Sequence, residues 1–288
     1  MKIEIGFKKI KDAVVLIDRI AGKHQTLPVL SCILFEIEKN TATLKSTNLD
    51  VGVEITIPIK SDGEKGVIAV PAHTISSFLS QITDQNQVIT IEVISGNAHI
   101  KTSKSKGVIK TLPSEDFPTI PRIQDGHEYS ISPEDFIQGL TSVAYSASIS
   151  SVKPELSSVY IYKDGDYMTF VATDSFRLAE KKIKIPSGSK FHDVLIPFKN
   201  IQDIIRILGS FNSTTKVQTS KNLISFENEG VYLVSRIIDG VFPDYRQIIP
   251  KNFSTEAVSL KQDVLNALKI SNIFSDKFNQ VHITVDPK

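Results

Sequence analysis

Apolar positions along the chain follow two periods that alternate in a regular order. Lys2–Ile5 steps by two, as a half-buried strand does. Lys8–Ala21 then places Ile10, Val14 and Ile17 at i, i+4 and i+7, one face of a helix. Strands are predicted next at Ile33–Glu38, Thr41–Ser46 and Val51–Ile59, with Lys39-Asn40 at a hairpin turn. Gly66–Val70 reads as a further strand, and Pro71 opens a second helix, whose first turn leaves the missing N–H unneeded. Ile75, Phe78, Leu79 and Ile82 give that helix its own stripe. Val88–Ile94, Ala98–Thr102 and Gly107–Thr111 complete two copies of one strand-helix-three-strand unit.

The whole programme then runs again. Phe136, Leu140 and Val143 follow Ile10, Val14 and Ile17 at a constant offset of 126 (136 − 10). Thr173-Asp174 stands in the same relation to Thr47-Asn48, and Ile196-Pro197 to Val70-Pro71. Ile201, Ile204, Ile205 and Leu208 repeat the second stripe. Phe117-Pro118 and Phe242-Pro243 punctuate the chain about one repeat apart, each inside a connector rich in turn residues. Pro243 lacks an N–H, so Arg236–Pro250 reads as an ordered connector rather than a mid-sheet strand. A third copy begins with a strand at Glu256–Leu260, a helix at Lys261–Ile270 with Val264, Ala267 and Leu268 inward, and a strand at Gln280–Val285. The pattern predicts an α+β protein of tandem domains at 1–125, 126–252 and, in part, 253–288. The last forty or so residues have a helix face and almost no sheet to bury it. They are expected to be poorly stabilised unless more chain or a partner covers them.

Composition adds limits rather than a function. An apolar fraction of 41% and a charged fraction of 23% are ordinary for a soluble globular chain. Cys32 is the single cysteine, so no disulfide framework exists and a reducing cytosol is the natural setting. The N-terminal stretch carries Lys throughout, unlike a signal peptide or anchor, and no apolar run approaches membrane-spanning length. A soluble cytoplasmic protein is expected. The net charge of +1 leaves the distribution of charge to decide between nucleic-acid and acidic partners.

No catalytic constellation is visible. The six histidines are scattered and not spaced for zinc, and one cysteine cannot form a thiolate cluster. There is no glycine-rich phosphate loop and no G-x-S-x-G elbow. No cofactor, no metal and no enzymatic activity are expected.

The stretches TLPVLSCILFEIE, ATDSFRLAEKK, VLIPFKNIQDIIRIL and RIIDGVFPDYRQIIPKN resemble the bacterial sliding clamps, the beta subunits of DNA polymerase III, in register from Met1 into the third repeat. The resemblance implies three-domain chains that close head-to-tail as two-subunit rings around duplex DNA, with helices lining the concave inner face. It also implies a processivity factor rather than an enzyme. It departs in one large respect: most of the third domain is absent from this sequence. By position it implies DNA contacts at Lys23, His24, His73, Ser150, Lys153 and Lys199. His24 and His73 stand where the family has arginines, which predicts weaker electrostatic attraction, since histidine is largely neutral at pH 7. A cleft for short partner peptides with two apolar anchors would comprise Leu156, Thr173, Ser175, Phe176, Arg177, Leu178, Pro243, Gln247 and Ile248. Ser175-Phe176 replaces the family's common Gly-His, and Gln247 replaces an arginine. Subunit contact would run along Lys106–Lys110 with Gly107 and Ile109, where Gly107 stands in place of a bulky apolar residue.

The partners so implied are double-stranded DNA, the replicative polymerase, its clamp loader and repair proteins, with a homodimer for the full-length protein. One rival is a binder that keeps the peptide cleft and never encircles DNA. A second is a hydrolase on a repeated scaffold, which would need Asp, Ser or His side chains converging in a concave site.

Overall fold

The computed structural model describes all residues except 23–26, 187–190, 278–279 and 287–288. The described chain forms two compact units, Met1–Phe242 and Pro243–Lys288.

The first unit holds both complete repeats. In the first copy, β1 (Lys2–Gly6) leads into α1 (Phe7–Ile17). Then come β2 (Cys32–Ile37), β3 (Thr41–Thr47), β4 (Val51–Pro58) and the two-residue β5 (Lys60–Ser61). β6 (Gly66–Pro71) leads into α2 (Ala72–Ser80), and β7 (Val88–Ile94), β8 (Asn97–Lys101) and β9 (Lys106–Lys110) close the copy. The second copy runs β10 (His127–Ile131), α3 (Pro133–Val143), β11 (Ser158–Asp164), β12 (Tyr167–Thr173) and β13 (Leu178–Lys184). It continues with β14 (Val194–Pro197), α4 (Phe198–Leu208), β15 (Thr215–Thr219), β16 (Leu223–Asn228) and β17 (Val231–Arg236). The helix expected over Lys8–Ala21 ends at Ile17, and β5 is a short addition to the expected pattern.

Local chemistry accounts for the helix starts. Ser132 caps α3, its Oγ accepting from the Asp135 N–H at 3.2 Å, and Pro133 takes the first turn. Pro71 and Pro197 occupy the cap positions of α2 and α4, so each ends a strand and aims the next residue into a helix. The α1 stripe is buried as the spacing demands, with Phe7, Ile10, Ala13, Val14 and Ile17 inside. On α4, Ile201, Ile204 and Leu208 are buried together with Ile207, while Ile205, expected in the stripe, is only half-buried. Burial of such a side chain contributes about 1.5–3 kcal/mol. Gly139 of α3 lies so close to Phe170 that a Cβ there would collide with the ring. That ring packs edge-on to Phe136 at 5.4 Å, and Phe136 packs edge-on to Phe226 at 5.2 Å.

The two copies are fused by a strand ladder. β17 of the second pairs antiparallel with β4 of the first, in the register Val231↔Ile55, Leu233↔Val53 and Ser235↔Val51. The result is an eight-stranded sheet in the order β10-β15-β16-β17-β4-β3-β2-β6. A five-stranded sheet (β5-β1-β7-β8-β9) and a four-stranded one (β13-β12-β11-β14) stand beside it. α1 packs against α2, α3 against α4, and α1 meets α4 at the seam, so the four helices form one contiguous row. The connector between the copies is part of this seam. Ile120 sits against Gly52, where a Cβ would lie 2.9 Å from its Cγ2, and Tyr232 donates to the Pro121 carbonyl at 3.0 Å. The Arg122 guanidinium stacks over the Tyr232 ring and pairs with the buried Glu54.

The second unit corrects the expected third copy. Among its described residues the helix forms as α5 (Lys261–Ile273), but neither Glu256–Leu260 nor Gln280–Val285 is a strand. A strand needs a neighbour to take its N–H and C=O groups, and this unit supplies none. Val264, Ala267 and Leu268, expected inward, are exposed for the same reason.

Candidate functional site

The seam and its echo one repeat later define the site. Residues 47–51 and 173–177 fold as the same turn. Thr47 Oγ1 donates to the Val51 carbonyl at 2.9 Å and accepts from the Leu49 N–H at 3.0 Å. Thr173 Oγ1 donates to the Arg177 carbonyl at 2.8 Å and accepts from the Ser175 N–H at 3.2 Å. The Asn48 side chain accepts from the N–H groups of Asp50 and Val51, as Asp174 does from Phe176 and Arg177. Leu49 and Ser175 both sit in the left-handed region, at φ 74° and 77°. These pinned turns hold a conformation that a non-glycine residue does not favour.

The two turns differ in what they meet. The first is docked on the second copy: the Asp50 carbonyl accepts from the Arg236 N–H, and the Leu49 carbonyl from Arg236 Nε, both at 2.8 Å. Asp50 also pairs with Lys199 at 2.6 Å. The second turn projects Phe176, whose side chain is 98% exposed. Arg177 Nε pairs with Asp174 at 3.0 Å. Backbone N–H donors from Arg177 and Phe176 are the chief reason the Asp174 carboxyl is held below the ordinary carboxylate range.

Of the residues assigned to the peptide cleft, Leu156, Thr173, Ser175, Phe176, Arg177 and Leu178 lie in the first unit. Leu156 and Thr173 are buried and Leu178 half-buried. Pro243, Gln247 and Ile248 lie in the second. Tyr245–Ile248 is a single 3-10 turn there, Gln247 donates to Asp244 at 2.7 Å, and Ile248 is exposed.

Cationic and polar side chains, the residues assigned to DNA among them, are distributed along the helix row and the loop after α3. Lys8, Lys9 and Arg19 are exposed on or just after α1, and His73 is exposed in the first turn of α2. Lys8 and Lys9 sit in the first turn of α1, which carries no acidic residue. Cations there oppose the helix dipole by about 0.3–1 kcal/mol each, so helix stability is not what places them. Lys199 is exposed on α4 but its charge is shared with Asp50. Ser150 and Lys153 are exposed on the loop after α3, as are Ile149 and Val152 beside them. Lys23 and His24 lie outside the described residues.

At the β9 edge, Ile109 is buried in its own core, while Val108 faces out. The Phe78 ring covers Gly107, 3.1 Å from where a Cβ would be, and so supplies apolar bulk beside the strand that Gly107 itself lacks. Sequence reasoning missed Phe78, and it also missed Asp50 and Arg236 as seam residues. The signal for Asp50 was available, because it stands one repeat before Phe176.

Among the described residues no group of three His, Cys, Asp or Glu side chains could hold a metal, and no helix is long and apolar enough to cross a membrane. Residues 1–121 match the N-terminal domain of the DNA polymerase III beta subunit, and residues 130–244 match its central domain. The chain belongs to the DNA polymerase III beta-subunit family.

Members of this family are sliding clamps, non-catalytic subunits of the polymerase, and so is this chain. It is 25% identical over 276 residues to the beta sliding clamp of Haemophilus influenzae, covering 92% of this chain and 75% of that one. The clamp of Proteus mirabilis is 26% identical over 269 residues, covering 92% and 72%. A Pseudomonas aeruginosa sliding clamp, solved bound to griselimycin, superposes with a TM-score of 0.88 at 25% identity, over 97% of this chain and 76% of that one. The Thermotoga maritima beta subunit shares the fold at a TM-score of 0.86 and 22% identity, over 94% and 74%. This clamp chain thus spans about three-quarters of each relative's length.

Proposed function

We propose that this clamp subunit acts as part of a ring that encircles duplex DNA in the cytoplasm and tethers the polymerase, its clamp loader and repair proteins through short peptides. One observation carries the reading. The β17–β4 ladder joins copy to copy in a head-to-tail sense, and the counterparts of those two strands, β9 and β13, are left as sheet edges. Repeating a head-to-tail contact closes a ring when the rotation allows it. β9 would then receive a further copy from a second subunit, with Phe78 and Val108 beside the new ladder. The domains of that ring are 1–125, 126–252 and a third beginning near 253.

The helix row supports the DNA side of the proposal. A sliding contact needs phosphate attraction without base readout, and Lys8, Lys9 and Arg19 at α1, Lys153 on the loop after α3 and Lys199 on α4 offer charge, with His73 of α2 as a polar neighbour. The Thr173–Leu178 turn with Leu156 supports the peptide side, offering an exposed aromatic and a fixed arginine beside buried aliphatic surface.

The test is retention on DNA. The protein is loaded on nicked circular plasmid and on the same plasmid linearised, and the DNA-bound fraction is followed by gel filtration at physiological salt. Retention on the circle with loss from the linear form supports encirclement. Equal loss from both, with peptide binding intact, replaces it with the non-encircling binder.

A further inference from the structure

We propose that the groove between α1 and α4 at the seam docks an acidic amphipathic peptide of a partner protein. The groove has a cavity of about 500 Å³, the size of a small-ligand or peptide-anchor site. Its floor is aliphatic: Val15 and Leu16 from α1, Ile55 and Ile57 from β4, and Val231 from β17. Val15 is 49% exposed, so part of this surface is open to solvent.

Charge fixes the kind of occupant. The rim carries Lys9, Lys11 and Arg206 against one carboxylate, Asp12. Among the described residues neither Lys9 nor Lys11 lies within ion-pair distance of a carboxylate, and Lys11 rests its ammonium over the Phe7 ring at 5.3 Å. Arg206 gives one nitrogen to Asp203 at 3.0 Å, and its Nε is buried without a hydrogen-bond partner. An aliphatic floor with a cationic rim complements apolar side chains on a Glu- or Asp-rich backbone. A DNA strand would use the rim and gain nothing from the floor. Lys9 is also among the cations proposed to attract phosphate, so an acidic peptide seated here would compete with duplex for it; the inference goes beyond the proposed function and does not rest on it.

The probe is a fluorescein-labelled helical peptide with Leu at i, i+3, i+4 and i+7 and Glu elsewhere, read by anisotropy against the full chain. Its control has Lys in place of every Glu. The acidic peptide is expected to bind at least about tenfold more tightly than the basic one. Val15→Asp, half-exposed and so compatible with folding, and the double variant Lys9→Glu with Lys11→Glu should each weaken binding about tenfold or more. Unchanged melting temperatures would show that both variants are folded. Equal binding of the two peptides, or indifference to Val15→Asp, overturns the proposal. So does a pattern in which the lysine variant loses a short DNA duplex while no peptide binds, which would give the rim to phosphate. A change in sedimentation of the unliganded chain on Val15→Asp would give the groove to a second copy and overturn it equally.

Discussion

Replacing Thr173 by valine should separate the two turns that the repeat made alike. Valine keeps the shape and removes the hydroxyl, so the Arg177 carbonyl loses a donor at 2.8 Å and the Ser175 N–H loses an acceptor at 3.2 Å. The side chain is buried, so water does not fully replace either bond. At about 1 kcal/mol for each bond, the loss is about 2 kcal/mol. Thr47→Val removes the matching pair, at 2.9 and 3.0 Å, and should cost a similar amount. In a unit of this size, about 2 kcal/mol lowers the melting temperature by roughly 4–8 °C in either variant. Function should not follow stability. The turn at 173–177 presents Phe176 and Arg177, whereas the turn at 47–51 is held in place by Arg236 and Lys199. Affinity for a partner peptide with two apolar anchors, measured by anisotropy well below both melting temperatures, should therefore fall for Thr173→Val and stay unchanged for Thr47→Val. Equal losses of affinity in the two variants, or none in Thr173→Val, would falsify the assignment of the second turn to peptide binding.

Three further outcomes are expected. Gly139→Ala brings a methyl group into the Phe170 ring, and the overpacking cost of about 1–3 kcal/mol should exceed the helix-propensity gain of about 1 kcal/mol; a variant as stable as the parent in urea would contradict this packing. Lys199 is neutralised locally by Asp50, so Asp50→Asn should strengthen binding to a duplex at low salt, while Lys199→Ala should make the log–log salt slope shallower by about 0.9; an unchanged slope in Lys199→Ala would remove that residue from the DNA face. Asp174 has a lowered folded-state pKa, so its contribution is complete above the ordinary carboxylate value of about 3.9 and is lost as pH falls through the lower folded value. Protection factors of the Phe176 and Arg177 amides, taken against the unstructured rate at each pH, should fall only in that acidic window, and a loss of protection near neutral pH would show that another group holds the turn.

The repeat was legible in the sequence because both of its periods are local. Ile10, Val14 and Ile17 must share a helix face at their spacing, and the same face recurs at Phe136, Leu140 and Val143. The strand predicted at Thr41–Ser46 fell out of the same kind of local alternation and forms as β3, Thr41–Thr47. The third copy shows the limit of that reasoning. Glu256–Leu260 and Gln280–Val285 alternate like strands, yet alternation only says which face would be buried if a neighbour were present.

Tertiary structure decided what lies far apart in sequence. That β17 pairs with β4 follows from no local pattern, and this one ladder makes Asp50, Lys199 and Arg236 neighbours. It leaves one turn docked and the twin turn presenting Phe176, a difference in surroundings between two nearly identical hydrogen-bond sets. It also opens the aliphatic groove beneath α1 and α4, where Val15 and Val231 come together from the two copies. The sequence by itself determined the repeating unit and its buried faces, because helix and strand periods are set by neighbours a few residues away. Which edges meet, which charges are neutralised and which apolar surface stays open depended on long-range packing, and only the folded chain brings those groups within reach.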